Sequence, residues 1–340
     1  MENVYYDYDK LLSRNDWIIS FVVTSRGLGK TFGAKVAMLK HFLKTGEEFM
    51  YVRRYKTELD SSLATFWSDI QANGFFEDYE LKVKKNKLLT KFTCNGKVCG
   101  YAVPLSTSNI LKSTAFPKVK YIVFDEFLLP FGGTYRYLKN ECTLFLDLME
   151  TTFRLRPGRV IMLGNLLNVY SSPYFAFWDL DLPYDSEFKS YKDGAILVHY
   201  PKSSQYEKIK KGTAFGKLIA GTDYERTMIE NKDTASAVNF IKKKPPQASF
   251  YALLVINGVN IGVWYGRDGY LYMSNKFDPN TTCRFVFDFT DHTENTIFNS
   301  MRENPYMNAA VTAYKGGWLR FENQKVKANC ISALNKCVSF

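Results

Sequence analysis

The order of apolar and polar residues near the start of the chain predicts a strand, a loop and a helix. Residues 17–23 carry no charge and are rich in β-branched and aromatic side chains, as in a strand buried on both faces. This run ends at Thr24, and two glycines follow within the next five residues. From Lys30 onward, apolar residues recur at helical spacing. The stretch is therefore predicted to fold as strand, glycine-containing loop and helix.

Further apolar runs continue this alternation. Strands are predicted at 48–53, 120–127 and 160–165, alternating residues over 79–103 predict strands joined by turns, and helices are predicted at 57–72 and 140–153. The segment 128–139 contains proline and glycines and is predicted to be a loop. Strands that alternate with helices are typical of an α/β fold built on a parallel sheet.

The pattern changes after residue 200. Lysine runs, few apolar residues and Pro245-Pro246 predict a linker with some helix over 201–247. Short alternating strands begin near residue 249, and helices are predicted near 291–303 and 328–338. We therefore expect a first domain over 1–200, a linker over 201–247 and a smaller α+β domain over 248–340.

The loop after the first strand has the chemistry of a phosphate-binding loop. Gly27, Gly29, Lys30 and Thr31 form the end of the pattern G-x-x-x-x-G-K-[ST] in the strand–loop–helix setting that this motif requires. Lys30 would reach the β- and γ-phosphates, and the Thr31 hydroxyl would ligate magnesium. The first glycine of the pattern is replaced by Thr24, which predicts strain at the exit from the strand. A chance glycine-rich turn is the competing interpretation.

A second motif follows the predicted strand at 120–127. Asp125 and Glu126 come after four apolar residues, which is the Walker B pattern. Asp125 would hold magnesium, and Glu126 would orient and polarise the attacking water. A solvated strand end is the alternative for an isolated acidic pair. Asn165 ends another apolar run and is predicted either to sense the γ-phosphate or to form a turn.

Composition favours an anionic partner. The 340 residues include 45 Lys and Arg against 34 Asp and Glu, giving a formal charge of +11.

The sequence shows no signal peptide and no transmembrane segment, so its six cysteines are expected to be reduced thiols. Cys94 and Cys99 have no second ligand pair, and Asn95-Gly96 between them predicts a hairpin rather than a zinc site. The acidic residues after 260 are scattered and are expected to be solvated surface.

Several basic clusters are candidates for contact with DNA or with a neighbouring subunit. They are Arg53, Arg54 and Lys56 after the second strand, Arg136 and Lys139 at the end of the loop, and Lys242, Lys243 and Lys244 in the linker. A solvated loop is the competing interpretation for the first cluster. Arg154, Arg156 and Arg159 follow a predicted helix, where cations also serve as C-terminal caps.

Taken together, these motifs carry a resemblance to a known family. SRGLGKT, FMYVRRYK, IVFDEF, METTFRLR and ENQ near the end of the chain resemble the DNA-packaging motor ATPases of small picovirus-type podoviruses. The resemblance covers nearly the whole chain. It implies a P-loop ATPase domain of the additional-strand, catalytic-glutamate type, followed by an RNase H-like domain that has lost its nuclease carboxylates and binds nucleic acid.

The resemblance also implies functional residues. Phosphate and nucleotide binding falls on Ser25, Arg26, Gly27, Leu28, Gly29, Lys30 and Thr31, with Thr31 and Asp125 as magnesium ligands and Glu126 as the catalytic glutamate. Arg154 corresponds to the arginine finger that acts on a neighbouring subunit, and Lys56 to a residue at the subunit boundary.

The expected function is ATP-driven translocation of double-stranded DNA into a procapsid. The resemblance implies ATP and Mg²⁺ as cofactors, a homopentameric ring on the portal or connector, a packaging RNA ring as a further partner, and no membrane. The protein would act in the host cytoplasm, transiently at the portal vertex, and be absent from the mature virion. An ATP-switched initiator or recruitment factor that binds nucleic acid is the main alternative. A terminase-like nuclease is disfavoured because no acidic metal cluster stands out.

Overall fold

A computed structural model of the chain provides the structure. It describes residues 5–14, 16–86, 89–129, 135–166, 169–183, 186–201, 204–222, 224–225, 229, 240–256, 258–286, 289–298 and 305–338. The chain divides into two compact units, Met1–Lys232 and Asp233–Phe340. No helix among the described residues is long and apolar enough to cross a bilayer.

The first unit is built on a nine-stranded sheet. Its strands, in chain order β1 to β9, are Ile19–Thr24, Glu48–Arg53, Leu81–Lys84, Thr90–Cys94, Lys97–Pro104, Val119–Asp125, Arg159–Asn165, Phe188–Tyr191 and Ile196–His199. Their order across the sheet is β3-β4-β5-β2-β6-β7-β1-β9-β8. The six central strands of this sheet are parallel to one another: β5, β2, β6, β7, β1 and β9. Antiparallel pairing adds β4 and β3 at the edge beside β5, and β8 at the edge beside β9. The α/β prediction for this domain is confirmed.

The position of β7 defines the type of sheet. β7 lies between β1, which leads into the glycine-containing loop, and β6, which ends in Asp125. A strand inserted between these two is the additional strand that the resemblance implied. All six residues of β1 are buried, as are five of the seven residues of β7, because helices cover both faces of the sheet.

Eight helices flank this sheet in the described part of the first unit. In chain order they are α1 (Tyr8–Leu12), α2 (Lys30–Thr45), α3 (Lys56–Leu63), α4 (Ser68–Gln71), α5 (Glu141–Phe153), α6 (Pro173–Phe177), α7 (Ser204–Gly212) and α8 (Ala214–Leu218). Two short 3₁₀ helices, Leu105–Leu111 and Val169–Ser171, complete the set. Two apolar clusters pack against the sheet; Phe21, Phe124 and Phe145 lie in one, and Val22, Leu39 and Phe66 in the other.

The second unit is an α+β structure, as predicted. Its strands are β10 (Ser249–Ile256), β11 (Val259–Tyr265), β12 (Leu271–Ser274), β13 (Arg284–Val286), β14 (Ile297–Phe298) and β15 (Leu319–Phe321), and its helices are α9 (Pro305–Lys315) and α10 (Gln324–Val338). The sheet order is β14-β13-β10-β11-β12-β15. β10, β11 and β12 form an antiparallel meander, and β13 and β14 extend it in parallel beside β10. This arrangement agrees with the RNase H-like fold that the resemblance implied.

Four predictions of local structure need correction or comment. The helix near 291–303 is wrong for its described part, since residues 291–296 are irregular and β14 follows; its last residues lie outside the described part. The predicted helix at 57–72 is two helices, α3 and α4. The 201–247 linker stays a prediction, although α7 and α8 within it belong to the first unit. The Asn95-Gly96 hairpin is confirmed between β4 and β5.

Candidate nucleotide site

The glycine-containing loop takes the shape that a phosphate site needs. β1 ends at Thr24, and α2 begins at Lys30 with Gly29 as its N-cap. Gly27 has φ of +90° and Gly29 of +80°, a left-handed conformation that glycine adopts without steric cost. The first N–H groups of α2 have no partner within the helix and point toward the loop. The local fold therefore provides an anion site.

Thr24 fits the loop without the strain that its sequence position predicts. It keeps extended backbone and pairs with Asn165 in the sheet. Its hydroxyl, which is fully buried, donates to the Ser25 carbonyl at 2.8 Å and accepts from Lys30 Nζ at 2.6 Å. The first glycine of the motif is dispensable here because the chain turns only after residue 24.

Lys30 is held at the centre of the site. Besides Thr24, its ammonium donates to the Ser25 carbonyl at 3.1 Å and to Asn165 Oδ1 at 3.1 Å. Burial lowers the pKa of Lys30 to about 8, although the charges of Asp125 and Glu126 oppose this shift. An anionic phosphate would restore the charge balance around the ammonium. Asn165, predicted as a γ-phosphate sensor or a turn residue, thus lies inside the site as a partner of Lys30.

Thr31 and Asp125 come together as the metal prediction requires. Thr31 Oγ1 donates to Asp125 Oδ1 at 3.0 Å and to Oδ2 at 3.1 Å. Tyr51, which the sequence analysis did not single out, donates to Asp125 Oδ2 at 2.7 Å. A hydroxyl and a carboxylate are the hard oxygen ligands that Mg²⁺ takes in nucleotide sites, so these residues fit the ion.

Glu126 lies at the carboxyl end of β6 in a conformation unusual for its type. Its φ is +59°, a left-handed value that costs energy in a residue with a side chain. The side chain is half exposed, and Arg53 Nη2 donates to its Oε2 at 2.6 Å. The carboxylate therefore lies at the open side of the cleft and not in the core.

Arg53 is not a free cation, contrary to its assignment as a DNA or subunit contact. It is buried and donates to Asp125 Oδ2 at 3.3 Å as well as to Glu126. Burial by itself lowers the pKa of this guanidinium. The interactions with Asp125, Tyr51 and Glu126 are together stronger, so the pKa of Arg53 is raised. Arg53 therefore orients both carboxylates of its own subunit.

The assignment of Arg54 to DNA or to a neighbour is also wrong, because its side chain is completely buried. Its Nε and Nη2 donate to Glu141 at 2.8 and 2.9 Å, and Nη2 also donates to the Phe127 carbonyl at 2.7 Å. Tyr174 and the Leu138 N–H complete the hydrogen bonding of Glu141. Arg54 thus fixes the chain after Asp125 against the start of α5.

The remaining basic candidates are exposed to different degrees. Lys56, Arg136 and Lys139 are exposed, and their segments are joined where the Tyr55 hydroxyl donates to the Arg136 carbonyl at 2.8 Å. In the second unit, Lys243 is exposed, whereas Lys242 pairs with Asp268 at 3.2 Å and Lys244 lies 3.9 Å from the centre of the Trp264 ring.

The three arginines after α5 are distinguished by their contacts. Arg156 donates to the carbonyls of Phe116, Pro117, Val119 and Thr152. Arg159 lies 4.9 Å from the Trp17 ring. The backbone N–H of Arg154 donates to the Glu150 carbonyl at 2.9 Å, whereas its exposed side chain forms neither a hydrogen bond nor an ion pair with any residue that the structure describes. It lines a cleft with Ile18 and Lys120, at the amino ends of β1 and β6, which is the edge of the sheet opposite Lys30.

The site as a whole is an open cleft of about 250 Å³ at the carboxyl edge of the sheet. Its walls are Arg26, Gly27, Gly29, Lys30, Thr31, Phe32, Asp125, Glu126, Leu163, Gly164 and Asn165. Ser25 and Leu28 are buried, and they contribute to the loop through their backbone groups. The Leu28 side chain packs in the core. The fold and this site define a P-loop ATPase of the additional-strand, catalytic-glutamate class.

Comparison with known proteins identifies the family within this class. Residues 1–337 match the Podovirus DNA encapsidation protein (Gp16) family, and the chain belongs to it. It is 35% identical to the DNA packaging protein of Bacillus phage phi29, over 96% of either chain. This chain is therefore a DNA packaging protein with the fold of a P-loop packaging ATPase.

Solved structures agree with this assignment. A chain of the bacteriophage phi29 viral genome packaging motor assembly is 34% identical, with a TM-score of 0.78 and coverage of 98% of this chain and 99% of that one. The N-terminal domain of the phi29 DNA packaging ATPase is 37% identical, with a TM-score of 0.52, and covers 60% of this chain and 99% of its own.

Proposed function

We propose that this protein hydrolyses ATP in the cleft around Lys30 and uses the energy to move double-stranded DNA into a procapsid. The observation that carries the proposal is the convergence of Lys30, Thr31, Asp125 and Glu126 at one edge of the sheet. These residues come from β6 and from the loop and first turn after β1, and together they supply each group that ATP hydrolysis needs on one subunit.

The residues have separate roles. The loop N–H groups and Lys30 bind the phosphates, and Asn165 orients the Lys30 ammonium. Thr31 and Asp125 would hold Mg²⁺, which neutralises developing charge on the phosphates when bound. Glu126 orients the attacking water and accepts its proton, while Arg53 fixes the direction of the carboxylate.

A neighbouring subunit completes the site through Arg154. Charge that develops on the transferred phosphoryl group needs a further cation. Arg154 cannot supply it in its own subunit, because it lies at the opposite edge of the sheet from Lys30. The Arg154 side chain is exposed and has no partner among the described residues, so it is available to bind a phosphate in a neighbouring subunit. Its planar guanidinium matches the geometry of phosphate oxygens.

The assembly follows from this shared site. We propose a homopentameric ring on the portal or connector of the procapsid, acting in the host cytoplasm and leaving before the virion matures, with a packaging RNA ring as a further partner. Similarity to a chain of the phi29 motor assembly supports the ring. Exposed Lys56, Arg136, Lys139 and Lys243 are candidate contacts with the DNA backbone, supported by the net charge of +11.

The experiment measures ATP consumption against DNA length. Procapsids of the same phage are incubated with the protein, ATP and DNA of several lengths, and DNase-protected DNA and released phosphate are measured together. A translocase consumes ATP in proportion to the length protected. Consumption that follows the number of DNA molecules but not their length would indicate an ATP-switched initiator instead.

A further inference from the structure

Helix α7 contacts the outer side of the phosphate loop. The Tyr206 hydroxyl donates to the Arg26 carbonyl at 2.9 Å, and Lys210 Nζ donates to the same oxygen at 2.7 Å. Tyr206 and Lys210 lie four residues apart and therefore share one face of the helix. A single carbonyl oxygen of the loop thus receives two side-chain donors from a helix 180 residues further along the chain.

These two hydrogen bonds determine which way the Arg26–Gly27 peptide faces. In a trans peptide the carbonyl and the following N–H point in opposite directions. Because the Arg26 carbonyl points toward its two donors on α7, the N–H of Gly27 faces away from α7. Both Arg26 and Gly27 line the nucleotide cleft. Gly27, with φ of +90°, has no side chain to restrict this peptide, so it depends on external contacts to stay in place.

The contact between the loop and α7 is close. A Cβ atom at Gly27 would lie 2.3 Å from the Tyr206 hydroxyl oxygen and 3.6 Å from Lys210 Nζ. The other side of the loop is held in the same way, because Tyr6 N donates to the Leu28 carbonyl at 2.9 Å. The Arg26–Gly27 and Leu28–Gly29 peptides are therefore both oriented by hydrogen bonds from residues outside the loop.

The charges near α7 also favour an anion. Burial, and then the charge of Arg26, lower the pKa of Lys210. Lys30, at the end of the same loop, is a third cation and lines the cleft with Arg26. Three cations around one loop repel one another, and a bound phosphate relieves this repulsion.

We propose that Tyr206 and Lys210 are positioning residues of the nucleotide site, which hold the Arg26–Gly27 peptide so that its N–H is available to a bound phosphate. This inference rests on the nucleotide-binding role proposed above for the loop. The loop N–H groups cradle the α- and β-phosphates, which ADP and ATP share. Loss of the two donors therefore weakens both nucleotides alike and leaves the chemical step largely unchanged.

The test uses the full chain with Tyr206→Phe and Lys210→Met, singly and together. Both changes keep the size of the side chain and remove the donor. We expect Kd for ADP and for ATP to rise about tenfold in the double variant, and KM for ATP to rise with kcat within about threefold of the wild type. Lys210→Arg, which keeps a charged donor, should restore most of the affinity. Exposed Lys208→Met on the same helix is the matched control and should bind as the wild type does.

The outcomes separate this inference from the proposed function. Wild-type affinity in the double variant would overturn the role of α7, as would a loss confined to ATP or an equal loss in Lys208→Met. A loss of kcat at unchanged KM would overturn it as well. Failure of the wild-type chain itself to bind or hydrolyse ATP would instead overturn the proposed function. Thermal unfolding without nucleotide checks that the variants are folded, and Tyr206→Phe alone, which keeps the ring, is expected to weaken binding about threefold.

Discussion

At the scale of single residues, the site is shaped by contacts between side chains that are distant in sequence. Arg53 and Arg54 are neighbours in the chain, yet one contacts the two Walker B carboxylates and the other is sealed in the core with Glu141. Because successive residues of a strand point to opposite faces, adjacent arginines at a strand end enter different environments. A basic cluster in a sequence therefore does not predict a basic surface.

At Glu126, the role in ATP hydrolysis can be tested separately from the binding of ATP. Glu126→Gln keeps the size and hydrogen bonding of the side chain but removes the negative charge that activates water. We expect ATP and Mg²⁺ to bind as in the wild type, with turnover lower by at least about a hundredfold. Equilibrium binding of a fluorescent ATP analogue and steady-state phosphate release measure the two effects, with exposed Glu77→Gln as the control. Weakened binding with normal turnover would mean that Asp125 and Glu126 exchange roles.

At the scale of elements, the sequence predicts the core of the first unit well and its connections poorly. β1, α2, β6, α5 and β7 were predictable because their periodicity is local and strong. The buried partner of Arg54 is 87 residues away, and no local pattern announces it. Lysine-rich α7 was predictable only as part of a linker, since its attachment to the loop depends on two side chains that meet Arg26 in three dimensions.

The Arg54–Glu141 pair joins the end of β2, the chain after β6 and the start of α5. Arg54→Met leaves the Glu141 carboxylate buried without its counter-charge, and we expect it to lower the free energy of unfolding by about 3–5 kcal/mol. Adding Glu141→Gln removes that charge and should restore part of the loss. Urea unfolding of the full chain gives both values, and exposed Lys56→Met should change stability by less than about 0.5 kcal/mol. A loss below about 1 kcal/mol for Arg54→Met would contradict the buried pair.

His199 anchors the segment before β1 beside the phosphate loop. Its Nδ1 lies 2.8 Å from the Tyr6 hydroxyl and its Nε2 lies 2.9 Å from Glu187, which also pairs with Lys10, while Phe188 stacks on its ring. Burial lowers the pKa of His199 from 6.5 to about 4. Glu187 opposes this shift, whereas the charges of Lys10 and Arg14 add to it. The unfolded chain therefore binds a proton between pH 6.5 and 4 that the folded chain does not, so stability falls as the pH falls.

We expect this group to account for a loss of about 2 kcal/mol in the free energy of unfolding between pH 7 and pH 5. His199→Gln cannot titrate and should lose less stability over the same range, whereas exposed His292→Gln should behave as the wild type does. Urea unfolding at the two pH values measures the difference. Equal losses in wild type and His199→Gln would show that other groups cause the pH dependence.

At the scale of the whole molecule, the proposed ATP hydrolysis requires that neighbouring subunits complete each other's sites. Lys30 and Arg154 lie at opposite edges of one sheet, so one chain cannot bring both to the same phosphate. Arg154→Ala should lower turnover about a thousandfold or more. Rings mixed from Lys30→Ala and Arg154→Ala subunits should regain part of the activity, because some interfaces then pair an intact loop with an intact arginine.

Mass measurement must show that the rings are mixed, and phosphate release then reports the recovery. Rings without any recovered hydrolysis would show that Arg154 does not act on a neighbour's phosphate and only ends α5. Arg156 is a poor substitute, since four backbone carbonyls already occupy its guanidinium.

ATP turnover by the purified full chain, with and without double-stranded DNA, in the wild type and in Lys30→Ala, most directly tests whether the loop around Lys30 is the ATP site of a DNA-packaging motor. We predict that the wild type hydrolyses ATP and that DNA stimulates this hydrolysis, because packaging couples the two. Lys30→Ala should abolish both activities, because it removes the cation among the phosphates. Lys40→Ala, at an exposed position of the same helix, should change neither. Near-normal hydrolysis by Lys30→Ala would contradict the assignment of this loop as the ATP site.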